Sequence, residues 1–332
     1  MRRRTFLTLG NEGIDVSKAV ACDICLYNKT TQKLVIVESS KFSASEYPSS
    51  NYSPVGVVVI PGSHDVYGDG SCAVMSLKNM SYETPDTGST SSQAIYWGQY
   101  KVDISTLTNY TDVVSLGTLN STPQTTVQGT KNYGRLPSDN GFTGYQCPHD
   151  TDTNYYGDTS SSYCYIPSPY LTDDTRNPMY YQTSSPSSTA NAFSDFDGVG
   201  NTKILTDLAI KQTNWKTAST ITNNGGSGYS PAACCCWRYH TEGTKQGDWY
   251  LPAMGELGYI MPKLKKINQA ISTITTAYGS TVGVQVGDYL GYLSSSEYST
   301  NLARYVDIAI GNVYYGNKDF DSFVRAFLRI GA

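Results

Sequence analysis

Histidine is scarce: 332 residues hold three, His64, His149 and His240, far apart in the chain. That spacing argues against a histidine-built metal centre. Charge is also low, at 16% of residues with a net −4, and no stripe of lysine and arginine follows the opening "MRRR". A nucleic-acid footprint is therefore excluded. Long apolar runs are missing too. The stretch after "MRRR" is broken by Thr and Gly within a few residues, too short and polar for a signal core or a membrane span. The expectation is a chain made in the cytoplasm with no signal peptide. No P-loop, G-x-S-x-G or H-E-x-x-H occurs, so the common phosphate, serine-hydrolase and zinc-protease chemistries find no purchase.

Tyrosine is abundant instead, with 28 copies, alongside many Ser, Thr, Asn and Gly. This is a strand- and loop-rich composition. Tyrosine offers large, stiff contact area with a polar tip, as binding loops use it. Eight cysteines are present: Cys22, Cys25, Cys72, Cys147, Cys164 and the run Cys234-Cys235-Cys236. Cys22 and Cys25 have no second pair at zinc-finger spacing, so "VACDICLYN" reads as a strand with cysteine as a small hydrophobe. "AACCCWRYHT" reads as a strand or buried extended run. Reduced thiols are expected throughout.

Three segments emerge. Residues 1–80 hold "KAVACDICLYN" and "KLVIVES" around a turn at "KTTQ", then "SPVGVVVIPG" and "SCAVMSL": a small all-β unit suited to attachment or assembly. Residues 81–190 are clusters of Ser, Thr, Asn, Asp, Gly and Pro with short apolar pieces between, a loop-rich connector or insertion. Residues 191–332 are regular again. "GNTKILTDLAIKQTNW" has helical spacing with Asn201 or Thr202 as N-cap. Leu257, Ile260, Leu264, Ile267, Ile271 and Ile274 recur at 3, 4, 3, 4, 3, a strong amphipathic stripe interrupted by Pro262. "ARYVDIAIG" and "FVRAFLRI" read as strands. The fold class is α+β.

Four motifs in order, "GDWYLPAMGEL", "YLSSSEY", "ARYVDIAIG" and "VRAFLRI", resemble the C-type-lectin-like fold of the formylglycine-generating-enzyme type over roughly residues 190–332. Leu293 stands where that pattern has Trp. Within the fold the chain is similar to the variable proteins of diversity-generating retroelements, the receptor-binding proteins of phage tails and bacterial surfaces. In these, adenine-directed mutagenesis rewrites a C-terminal segment. Randomised adenines in AAC or AAT codons never yield Glu, Gln, Met, Trp or Lys. From Tyr298 to Phe323 none of the first four occurs, and Lys318 is the lone exception, expected as a fixed framework residue.

The resemblance implies a ligand-binding surface within 289–323. Its contacts would come from Tyr289, Gly291, Tyr298, Ser299, Thr300, Asn301, Leu302, Arg304, Asp307, Ala309, Asn312, Tyr314, Tyr315, Gly316, Asn317, Asp319, Phe320, Asp321, Ser322 and Phe323. Tyr305, Val306, Ile308, Gly311, Val313, Val324 and Phe327 would be framework. Phe320 and Phe323 could equally belong to the core. The implied partner is a host-cell protein or glycan, with other virion or surface proteins on the N-terminal unit. A homotrimer would suit a tail-fibre tip, and many copies would raise avidity. The implied location is a phage tail or a bacterial surface.

Enzymatic activity is not expected. No Cys follows Cys236 for the copper site of the formylglycine-generating oxidase, no His cluster serves a sulfoxide synthase, and no Glu-Pro-Asn or Gln-Pro-Asp marks a calcium lectin. "HDTDTNYYGD" (Asp150, Asp152, Asn154, Asp158) and "SDFDGVGN" (Asp195, Asp197, Asn201) read as solvated turns rather than metal loops, so neither metal nor cofactor is expected. An invariant structural or assembly protein is the alternative function, and an enzyme of this fold the third.

Overall fold

A computed structural model describes residues 13–64, 67–91, 93–98, 163–165, 180–182, 197–209, 230–258, 260, 263–287, 291–297, 302–307 and 312–331. The mixture of helices and mostly antiparallel strands is α+β, as its sequence predicts. The first strands are β1 (Ile24–Asn28), β2 (Lys33–Val37), β3 (Tyr52–Ile60) and β4 (Cys72–Ser76). The turn at 29–32 closes because Asn28 Oδ1 accepts from Thr30 N at 2.8 Å and Thr31 N at 3.0 Å, while Gln32 takes φ 55°.

β8 (Trp249–Tyr250) and β13 (Phe327–Ile330) complete one six-stranded sheet in the order β2-β1-β3-β4-β13-β8. β13 pairs with β4 in register Phe327↔Met75 to Ile330↔Cys72. The expectation of a separate β domain ending at residue 80 is corrected here. The strands of residues 24–76 and those of 249–330 share one sheet, and the apolar cluster on each of its faces draws on both. Both faces of that sheet are covered, which is why its strands read as unbroken apolar runs rather than alternating ones.

One face packs against helices α3 (Met254–Gly258) and α4 (Leu264–Tyr278). The predicted stripe Leu257, Ile260, Leu264, Ile267, Ile271, Ile274 is buried throughout. The helix is split: α3 stops at Gly258, α4 restarts at Leu264, and Pro262 lies outside the described residues. α4 ends at Gly279, whose φ of 107° suits a residue without a Cβ. The other face meets α2 (Pro231–Arg238). The stretch "AACCCWRYHT", expected as a strand or buried extended run, begins inside it. It is a helix because Pro231 takes the first position, where its missing N–H costs nothing, and because small side chains fit the crowded interior. Cys234, Cys235 and Cys236 are all buried on it.

α1 (Gly198–Ala209) starts earlier than predicted. Asp197 is its cap: Oδ1 accepts from Gly200 N at 3.0 Å and its carbonyl from Asn201 N at 2.8 Å. A second sheet runs β6 (Tyr163–Tyr165), β7 (Tyr180–Gln182), β11 (Asn312–Asn317), β10 (Leu302–Asp307), β9 (Gly291–Glu297). A two-stranded piece pairs β12 (Asp321–Ser322) with β5 (Ile95–Tyr96).

Candidate functional site

The C-terminal segment is built on the buried serines of β9. Ser294 receives Trp97 Nε1 on its carbonyl at 2.7 Å and donates its hydroxyl to Arg304 O at 2.9 Å. Ser295 N donates to Pro252 O at 2.7 Å, and its hydroxyl accepts from Asn201 Nδ2 at 3.1 Å. Ser296 Oγ accepts from Met254 N at 3.0 Å, capping α3 from another strand. The cap is completed from within the helix by Glu256, whose Oε2 takes Ala253 N at 2.8 Å. Its Oε1 accepts from Tyr67 at 2.7 Å and Tyr250 at 2.9 Å. Burial, and after it the Glu256 charge, pushes both phenols well above their usual range, so they act as donors. Thr202 Oγ1 accepts from Leu251 N at 2.9 Å, joining α1 to the same frame. The motif residues Pro252, Glu256 and Ser294–Ser296 are thus spent on holding β9 against α3.

Arg325 is a second anchor. Fully buried, it donates to the carbonyls of Ser76 (3.0 Å), Val284 (2.6 Å) and Gln285 (3.0 Å). Burial lowers its pKa from the usual arginine value, partly opposed by Tyr292. Lys318 is a third. It is 0% exposed, and its Nζ lies 5.1 Å from the centre of the Trp97 ring. The expectation that Lys318 is framework agrees with this placement.

Above the frame the chain turns outward. β10 and β11 pair from Leu302↔Asn317 to Asp307↔Asn312. Tyr315 is 46% and Phe320 50% exposed. Asn317 and Asp321 are exposed, while Asp319, Gly316 and Leu302 are half-buried. Phe320 lies against half-buried Tyr305, ring centres 6.1 Å apart and tilted 31°. Gly291 is required beneath that ring, since a Cβ there would come within 2.5 Å of Tyr305 Cδ2. Tyr305, expected as framework, is therefore the floor of the aromatic patch. The signal was present in sequence as glycines at 291 and 316, on the two strands that flank Tyr305, which leave room for a ring.

Three expected contact residues are corrected. Arg304 is 2% exposed. It shares strand parity with Val306, which lies in the core. Phe323 is 7% exposed, its ring 5.9 Å from Tyr292, and its N donates to Gly291 O at 3.0 Å. Ser322 is buried and its hydroxyl donates to Gly291 O. After β12 the chain turns inward to reach β13, and these two residues fasten it to β9. Asp307, Asn312 and Tyr314 lie in β10 and β11. Tyr289, Tyr298, Ser299, Thr300, Asn301 and Ala309 fall outside the described residues, as do the Asp150–Asp158 loop and Asp195.

Elsewhere a cleft of about 660 Å³ opens between Leu77, Lys78, His240, Glu242, Thr281 and Val282. No residue of the C-terminal segment lines it. Among the described residues no group of three or more His, Cys, Asp or Glu side chains is placed to hold a metal, and no helix is long and apolar enough to cross a membrane. Six described cysteines (22, 25, 72, 234, 235, 236) are buried free thiols. Burial pushes Cys72 and Cys234 up to about 12.

No family model and no curated protein matches the chain. Among solved structures it is similar to a fimbrial protein from Bacteroides ovatus, at 16% identity and a TM-score of 0.29. The match covers 72% of this chain and 43% of that protein, so the chain spans less than half of its length. A likeness at that level assigns neither fold nor role.

Proposed function

We propose that this chain is an adhesin-like ligand-binding protein. Its C-terminal domain would be of the C-type-lectin-like, formylglycine-generating-enzyme type, presenting a surface diversified by a retroelement and used for attachment to host cells. The observation that carries this reading is a segregation. Among the described residues the exposed large hydrophobic side chains are Val20, Tyr315 and Phe320. Two of these three sit in a segment whose residues, Lys318 apart, are those that adenine randomisation allows. Exposed aromatic rings rimmed by Asn and Asp have the make-up of a binding surface. The buried frame beneath them supports the same reading, because a surface can change only where its support is fixed.

Binding without catalysis is the corresponding proposal for chemistry. Glu256, the motif carboxylate, accepts from two tyrosines and its own helix start, an engagement that leaves it a structural part. Display on a virion or a bacterial surface, assembly through the N-terminal strands, and a trimeric arrangement belong to the same proposal.

Sequencing the DNA for residues 285–332 across a population of the source tests it. Substitutions confined to adenines, at codons within Tyr298–Leu302 and Tyr314–Ser322, are expected beside a near-identical template repeat and a reverse transcriptase gene. An invariant segment with no template repeat rejects the variable-protein reading in favour of a fixed adhesin or an assembly protein.

A further inference from the structure

The segment's charges are sorted by sign. Between Tyr298 and Phe323 the basic residues are Arg304 and Lys318. Both are buried, at 2% and 0% exposure. Arg304 lies on the core parity of β10, and Lys318 is turned in over Trp97. The acids of the outer turn go the other way: Asp321 is exposed and Asp319 half-exposed. Among the described residues neither carboxylate is engaged by a cation. Between and beside them stand the exposed Phe320, tilted against Tyr305, and the exposed Tyr315. Aromatic faces carry negative potential, so ring and carboxylate attract the same sign of partner.

Resting on the binding-surface reading above, we infer that the partner seated on this turn is a protein surface presenting arginine or lysine side chains. Such a side chain can lay its cationic head over Phe320 while reaching Asp321 or Asp319, and its aliphatic stem covers the ring edge. A neutral glycan would use the ring for stacking and gain nothing from the sorting of charge. Gly316 belongs to this arrangement, since a Cβ there would lie 3.1 Å from the Tyr305 ring and 3.7 Å from that of Phe320. A larger side chain at 316 would crowd the two rings.

The test uses the full chain, with fluorescence anisotropy of a labelled octa-arginine peptide and, separately, a labelled mannan oligosaccharide. The peptide is expected to bind. Phe320→Ala and Asp321→Asn should each weaken it about three- to tenfold, and raising the salt should weaken it further. Glu83→Gln, which removes an exposed acid outside this segment, should leave it within about twofold. Equal weakening by Glu83→Gln and Asp321→Asn would mean diffuse attraction to an acidic protein, and overturns the inference. Mannan binding that falls with Phe320→Ala but not with Asp321→Asn, without a peptide response, also overturns it while leaving the surface a binding site. All three substitutions sit at exposed positions, and unchanged melting temperatures exclude misfolding. The retroelement reading is decided separately, by the population sequencing.

Discussion

Two stretches of the C-terminal segment, each opening on a tyrosine and mostly polar after it, meet opposite fates. In 292–296 a tyrosine, a leucine and three serines are all buried, Tyr292 at 1% exposure. In 315–321 Tyr315, Asn317, Phe320 and Asp321 are exposed. Polarity does not separate them; partners do. Each serine of the first stretch satisfies a backbone or side-chain group from another part of the chain, namely Trp97, Arg304, Pro252, Asn201 and Met254. The second stretch buries one side chain, Lys318, and is held by backbone bonds such as Gly98 N to Lys318 O at 3.0 Å.

The sharpest way to break this contrast is at Glu256. Glu256→Leu strands the buried Tyr250 phenol, the half-buried Tyr67 phenol and the Ala253 N–H, and should cost about 3–5 kcal/mol in urea unfolding. A cost below about 1 kcal/mol would show that the frame does not depend on it.

Alkaline pH gives the next largest effect. Burial raises the phenols of Tyr67, Tyr250 and Tyr239, and takes Tyr278 up to about 12. Their folded values lie above the unfolded value of about 10. Their contribution is therefore complete below that value and is lost as pH rises through the interval above it. Unfolding should accompany their ionisation, with absorbance at 295 nm and far-ultraviolet circular dichroism changing together. Ionisation of these tyrosines with the fold intact would contradict the burial.

Smaller still is the single tether of the outer stretch. Lys318→Ala removes the ammonium over Trp97 and leaves a gap, at about 1–3 kcal/mol, with a change in tryptophan emission. Lys318→Met keeps the volume and should recover about half of that loss.

The smallest expected effect defines the contrast. Phe320→Ala and Tyr315→Ser should shift stability by less than about 0.5 kcal/mol, while weakening ligand capture about three- to tenfold. A melting temperature that falls by several degrees in either variant would move that residue to the frame.

Much of this frame was legible in the chain. The 3-4-3-4-3 stripe gave the helices because a regular period dictates one buried face, and Lys318 was marked out by the codon rule. What escaped has a physical cause in each case. "AACCCW" has no periodicity that separates helix from strand, and Pro231 at the helix start decided it. Arg304 and Ser322 are polar residues at buried positions, and polarity alone says surface. Tyr305 was expected as framework beside Val306, yet alternation sets the two on opposite faces of the strand, and its ring is half-buried. The sharing of one sheet by residues 24–76 and 249–330 is a long-range pairing that no local pattern encodes.

That shared sheet has one more effect. β13 is an interior strand between β4 and β8, and it follows the outer stretch in the chain. A copy whose reading frame is lost or stopped anywhere in the exposed turn never supplies β13. Two strands are then left with raw edges, and the product is a substrate for proteases or aggregation. The six-stranded sheet is thus complete only in a chain read through to Ile330.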